Sequence, residues 1–220
     1  MKIRNKSTAR TTVRGTELEE VQHFKYLGSY ISADSNIDKE VSTRIGLAAH
    51  AFNRLHNVWK SSLLRTSTKL RIYRSNVRSV LLYASETWRM NKKIESRLRG
   101  YEGRCLRRIL QIRWQQHVTN VEVSRRTGIN SIVDEVKRRR WSWLGHALRM
   151  NKNRHPHTVL RWAPPGKRKR GRPLGTWRRT VEMEMKAAGK TWNELSWLAQ
   201  DRDAWRRFVG ALCSGRSEED

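Results

Sequence analysis

Disulfides, membrane spans and acidic counter-charge are what this sequence lacks. Its two cysteines, Cys105 and Cys213, stand in no C-x-x-C spacing, which excludes a disulfide framework and fits a reducing, intracellular compartment. No stretch approaches the roughly 20 apolar residues of a membrane helix, and no apolar signal-peptide core is visible near the N-terminus. A soluble, non-secreted protein is expected. Proline is confined to Pro156, Pro164, Pro165 and Pro173, so the rest of the chain is free to form uninterrupted helices. Hydrophobic residues make up only 37%, yet 10 of the 220 residues are Trp. Large rings build a core from few residues, which marks a folded protein rather than a disordered basic tail.

The acid shortage is local. The formal net charge is +27 and the sequence pI about 11.3. Residues 1–60 carry 10 Lys and Arg against 6 acids, residues 61–175 carry 29 against 6, and residues 176–220 carry 8 against 8. Such an excess repels itself in a compact fold and implies a polyanionic partner, nucleic acid first and an anionic membrane surface second. Confinement of the surplus to one central segment is the footprint of a binding surface.

The patterning predicts a mainly α protein with a short N-terminal β-hairpin, a multi-helix body, a basic linker and C-terminal helices. Residues 10–32 read as extended, with Thr12–Arg14, a turn at Gly15-Thr16, then Glu20–Gln22 and Phe24–Ile31. Gly28 inside the last run suggests a bulge or a close backbone approach. Ile37, Val41, Ile45, Ala48, Phe52, Leu55 and Trp59 follow helical steps for six turns. A second helix is expected from a Thr66 or Ser67 cap with Leu70, Tyr73, Val77, Leu81 and Ala84 as its stripe. A third uses Ile94, Leu98, Tyr101, Cys105 and Ile109. Thr119–Thr127 reads as a short helix closed by Gly128, followed by a longer one from an Asn130 or Ser131 cap to about Met150. Residues 151–175, rich in Pro, Gly and basic residues, read as a linker without regular structure. Thr176 then caps a helix ending at Gly189, and Thr191-x-x-Glu194 is a capping box opening a last helical stretch through Leu195, Leu198, Trp205, Phe208 and Leu212.

Three basic features are candidates for phosphate contact. Arg71, Arg74 and Arg78 are placed opposite the apolar stripe of the second helix, and Arg97, Arg104, Arg107 and Arg108 away from the apolar residues of the third. A guanidinium suits phosphate because its planar fork donates two hydrogen bonds at once. The second feature is the helix, Gly turn and helix of residues 119–150, the outline of a helix-turn-helix and more commonly an ordinary all-α corner. It contains Lys137, Arg138, Arg139 and Arg140. Four consecutive basic residues cover every azimuth of a helix, so at least one must turn inward or snorkel. Trp141 and Trp143 beside them read as core rather than as stacking platforms. The third feature is Lys167, Arg168, Lys169, Arg170, Gly171, Arg172 and Pro173. Its Arg-Gly-Arg-Pro core resembles an AT-hook, which follows the negative potential of a narrow A·T minor groove. A nuclear-localisation signal or a simple phosphate clamp explains the same residues. A chromosomal DNA-binding protein using this hook and the 119–150 helices is thus an alternative function.

Catalytic patterns are missing. Asp201 and Asp203 diverge on a helix and read as a surface pair. His155 and His157 flank Pro156 without partners at metal-ligand spacing, and no Gly-rich phosphate loop or nucleophile elbow occurs.

Eight strings, in order, carry a family resemblance. They are Phe24-Lys-Tyr-Leu-Gly-Ser29; Arg44-Ile45; Leu82-Tyr83-Ala-Ser-Glu86-Thr-Trp88; Leu106-Arg107-Arg-Ile109; Thr119-Asn-Val-Glu-Val123; Trp143-Leu-Gly-His146-Ala-Leu-Arg149-Met150; Gly171-Arg-Pro173 with Thr176-Trp177; and Ala199-Gln-Asp-Arg202 with Trp205-Arg206. The set resembles the region after the polymerase palm in LINE-type (non-long-terminal-repeat) retrotransposon reverse transcriptases. The resemblance implies that residues 1–33, with Lys25 among the nucleic-acid contacts, are like the primer-grip hairpin. It implies a thumb-like nucleic-acid-binding region over 34–150, followed by the 151–175 linker and a 176–220 helical segment. The implied partners are RNA, DNA or their hybrid, with no membrane and no small-molecule substrate, in the nucleus. The family's palm aspartates and its endonuclease are not matched. The chain is therefore expected to be no enzyme by itself and to hold no cofactor, Mg2+ belonging only to the unmatched palm.

Overall fold

The computed structural model describes residues 11–33, 36–151, 153–161 and 175–214. They are mainly helical, as the patterning predicts, with two short hairpins at the N-terminus where one was expected. They fall into two compact units: one from the residues up to Ala84 with Gly103–Val118, the other from Ser85–Glu102 with the residues from Thr119 onward.

In the first unit β1 (Thr12–Val13) pairs with β2 (Thr16–Glu17), and β3 (His23–Tyr26) with β4 (Ser29–Ser32), both antiparallel. Each hairpin closes on two residues with positive φ, Arg14-Gly15 and Leu27-Gly28, the turn form whose twist matches paired strands. Gly28 is therefore the second residue of a turn rather than a bulge, and Glu20–Gln22, expected to be extended, forms no strand.

The long stripe from Ile37 to Trp59 divides into α1 (Asp38–Arg54) and α2 (His56–Lys60) at Leu55, whose backbone leaves the helical region (φ −98, ψ 19). The break turns the Trp59 ring back to stack on Phe52 at 4.9 Å between centroids, with the indole N–H donating to the Phe52 carbonyl at 2.7 Å. Next, α3 (Thr66–Ile72) passes through a π-helical turn, Tyr73–Arg78, into α4 (Ser79–Leu81). Its N-cap residue is Arg65, with no side-chain cap bond, not the expected Thr66 or Ser67. Val41, Ala48, Phe52, Trp59, Tyr73, Val77 and Leu81 form the buried seam where α1 packs on the π turn and α4.

The helix α5 (Lys92–Ile109) buries Ile94, Leu98, Tyr101, Cys105 and Ile109, the stripe expected of it. In the second unit α6 (Asn120–Thr127) starts on Thr119, whose hydroxyl accepts from the Glu122 N–H, and stops at Gly128 in the left-handed region. Ser131 caps α7 (Ile132–Arg149), and Thr176 caps α9 (Trp177–Ala187). Thr191 and Glu194 close a reciprocal box on α10 (Trp192–Leu198). The last expected stretch is two helices, because Asp201 Oδ1 accepts from the N–H groups of Asp203 and Ala204 and starts α11 (Arg202–Ser214) anew.

The expected linker departs from expectation as well. His155–Arg161, expected inside the unstructured linker, is helix α8. Pro156 falls in its first turn, where the missing N–H has no helical partner to lose, and Leu160 packs against the core of this unit. That core joins Trp141, Leu144 and Leu148 of α7 to Val181, Met185, Leu195, Trp205, Val209 and Cys213.

Candidate nucleic-acid interface

The predicted contact residues divide by burial. Lys25 is exposed on β3, as are Arg71, Arg74, Arg104 and Arg108 on their helices, while Arg97 and Arg107 are half-buried. Arg108 also lays its guanidinium over the Phe52 ring at 5.8 Å. Arg107 donates to the Val118 carbonyl at 3.0 Å, so part of its donor capacity holds the following loop.

Two arginines predicted to touch phosphate are inside. Arg78, expected opposite the apolar stripe, is only 8% exposed and adjoins fully buried Val77. The two lie in the π turn, whose bonds close over five residues instead of four, so neighbouring positions both face inward there. Arg140 is 2% exposed, and its Nη1 donates at 2.9 Å to Glu184. Glu184 also accepts from the Trp141 indole N–H at 2.6 Å. One member of the four-residue basic run therefore turns inward, as helix azimuth demands. Its neighbours are anchored too: Lys137 Nζ donates to the Leu212 carbonyl at 2.8 Å, and Arg138 and Arg139 share Glu135 at 3.4 Å each. Trp141 is core, while Trp143 is half-buried and meets Trp177 edge-on at 5.6 Å.

The helix-turn-helix outline is present as α6, Gly128 and α7. Between Ile132 and Arg149, however, only Ser142 and His146 are well exposed. A helix that forms the centre of its own unit has little face left to enter a major groove. The AT-hook-like run, with Lys167, Arg168, Lys169, Arg170 and Arg172, lies outside the described residues.

Asp201 and Asp203 are explained locally. The two backbone N–H groups bound to Asp201 hold its carboxyl below the usual carboxylate range, and Asp203 pairs with Arg206 at 2.8 Å. Among the described residues no group of three or more His, Cys, Asp or Glu is placed to hold a metal, and no helix is long and apolar enough to cross a membrane. Both cysteines are buried and unpaired with each other; burial pushes the Cys213 thiol up.

A buried polar clamp escaped the sequence reading. Glu40 and Arg44, one turn apart on α1, are 4% and 6% exposed and joined at 2.7 Å. Arg44 Nη2 donates to the Gly28 carbonyl at 2.6 Å, and Glu40 Oε2 accepts from the Tyr30 N–H at 2.6 Å. Arg44 stacks on Tyr83 at 4.4 Å, whose hydroxyl donates to the Leu27 carbonyl at 2.9 Å. Three of the separate strings thus meet around one hairpin turn. In the second unit the same holds: the Trp205 N–H donates to the Trp141 carbonyl at 3.1 Å, Arg149 to the Ala199 carbonyl at 3.1 Å, and Trp177 to the Glu86 carbonyl at 2.7 Å. Trp114 was also missed; it stands 80% exposed, touched edge-on by His117, and directly follows Arg113.

Comparison with known proteins gives two likenesses. The family model described as a domain of unknown function (DUF6451) matches residues 51–83, the run from the last turn of α1 to just past α4. An uncharacterized transposon-derived protein of Caenorhabditis elegans is 28% identical over 204 residues, covering 88% of this chain and 72% of that protein. No solved structure matches.

Proposed function

We propose that this chain is a transposon-related, nucleic-acid-binding protein, equivalent to the thumb and post-thumb part of a LINE-type reverse transcriptase. It would hold template–primer or target nucleic acid in the nucleus without performing polymerisation. The observation that carries the reading is the net +23 of residues 61–175. Five of the implied contacts, Lys25, Arg71, Arg74, Arg104 and Arg108, are exposed. Likeness to a transposon-derived protein over most of the chain supports the same context.

Two further features fit. Phe24, Tyr26 and Ile31 expose 47%, 58% and 38% of their surface on the β3–β4 hairpin, an apolar face suited to packing against further protein. Trp114 beside Arg113 offers a ring on which an unpaired base can stack, worth about 1–3 kcal/mol per base.

The test is a filter-binding titration of the full chain against duplex DNA, RNA and an RNA–DNA hybrid. With on the order of 6–10 phosphate contacts, affinity falls ~10³–10⁵-fold between 50 and 200 mM salt. A flat salt response removes the proposal.

A further inference from the structure

The C-terminal segment, neutral by itself, closes a basic groove against α7. Along α7, Arg138, Ser142, His146 and Arg149 recur at steps of four, four and three, and α11 brings Arg202 and Arg206 against them around a cavity of about 510 Å³. No carboxylate lines it. Arg202 and His146 make no side-chain hydrogen bond or ion pair among the described residues. The nearby acids sit at the edges: Asp203 on Arg206 at 2.8 Å, and Glu135 on Arg138 at the longer 3.4 Å. Arg149 is held by a backbone carbonyl, not by a carboxylate. Burial first, and then the Arg202 and Arg206 charges beside it, lower the affinity of its guanidinium for its proton. Like charges held together in a concave site without an internal anion form a receptor for an external one.

We propose that the α7–α11 groove is a phosphate-binding channel that takes consecutive phosphates of one nucleic-acid strand. The inference rests on the nucleic-acid-binding reading above and assigns it a site where the α7 side of the charge-rich segment meets the neutral C-terminal one. Length selects the ligand. From Arg138 to Arg149 the α7 stripe runs about 16 Å at ~1.5 Å per residue. Each phosphate of one strand advances at least ~3.4 Å, the rise along a duplex axis, and more along an extended strand, so the stripe spans a few consecutive phosphates and exceeds a single phosphate ion. The polar donors Ser142 and His146 between the arginines fit a backbone track better than a point site.

The experiment follows the His146 ring signals by NMR as the full chain is titrated with a five-nucleotide oligothymidylate or with inorganic phosphate. It also measures the salt slope for a longer single strand with wild type and with Arg202→Glu, an exposed position whose variant is checked for folding by circular dichroism. The expected result is that His146 shifts with the oligonucleotide and not with equal inorganic phosphate, and that Arg202→Glu reduces the slope of log affinity against log salt by about one. Equal shifts with inorganic phosphate overturn the channel in favour of a single-phosphate pocket. A silent His146 and an unchanged slope in Arg202→Glu, while wild type still binds with a steep salt dependence, overturn the groove and leave the proposed function standing. A flat wild-type response removes both.

Discussion

Arg44 shows how much one buried charge can organise when it is met by a carboxylate, a carbonyl and a ring. Its guanidinium meets Glu40, the Gly28 carbonyl and the Tyr83 ring, so the hairpin turn, α1 and the turn after α4 share one polar joint. Removing one partner of a buried pair leaves the other desolvated without compensation, which typically costs about 3–5 kcal/mol. Arg44→Ala is therefore expected to lower the unfolding free energy of the full chain, measured by urea denaturation, by that order. A loss below about 1 kcal/mol would show that the clamp is solvated in practice. Glu40-x-x-x-Arg44 is legible as an acid placed one turn before a base. Such pairs usually lie on the surface, and only burial distinguishes this one. Arg78 and Arg140 teach the reverse lesson: their basicity suggested phosphate contact, and their positions in a π turn and at the inner azimuth of α7 put them inside.

Among the elements, α7 and α11 meet at a glycine. A methyl group at position 145 would come within 3.0 Å of three atoms of the Trp205 indole, whose N–H reaches a carbonyl on the same stretch of α7. Gly145 thus gives up helix propensity to admit a ring, which explains why the Trp143–Met150 and Trp205-Arg206 strings occur together. Gly145→Ala should destabilise by about 1–3 kcal/mol through overpacking. Combined with Trp205→Phe the two losses should not add, because the smaller ring relieves the clash. Strict additivity in thermal unfolding would separate the residues and refute the contact. Helix starts were more legible than helix continuity. Thr119, Ser131, Thr176 and Thr191 accept the bonds that their residue type promises. The break at Leu55 had no such signal, since it comes with a ring folding back on its own chain; Asp201 did carry a cap residue type, inside a stretch expected to be one helix.

At the scale of the whole molecule, charge and fold carry different information. The net +23 of residues 61–175 is a long-range field that draws polyanions whatever the helices do, and on the proposed reading it supplies affinity without sequence choice. An AT-hook function would add such choice. A·T-rich and G·C-rich duplexes are accordingly expected to compete equally for the full chain. A preference for A·T abolished by Arg170→Ala with Arg172→Ala would shift the assignment to the chromosomal alternative.

Composition and periodicity by themselves determined the mainly helical class, the apolar stripe of each major helix, most helix caps and the location of the charge surplus. These are local or additive properties, fixed by residue type and spacing along the chain. Only tertiary structure decided that Arg44 and Glu40 are buried, that Arg140 serves the core, that Pro156 sits in a helix, and that Arg149, Arg202 and Arg206 face one groove. Each depends on which faces of separate elements meet, and a charge balance summed along the sequence cannot show how arginines 50 or more residues apart converge in space.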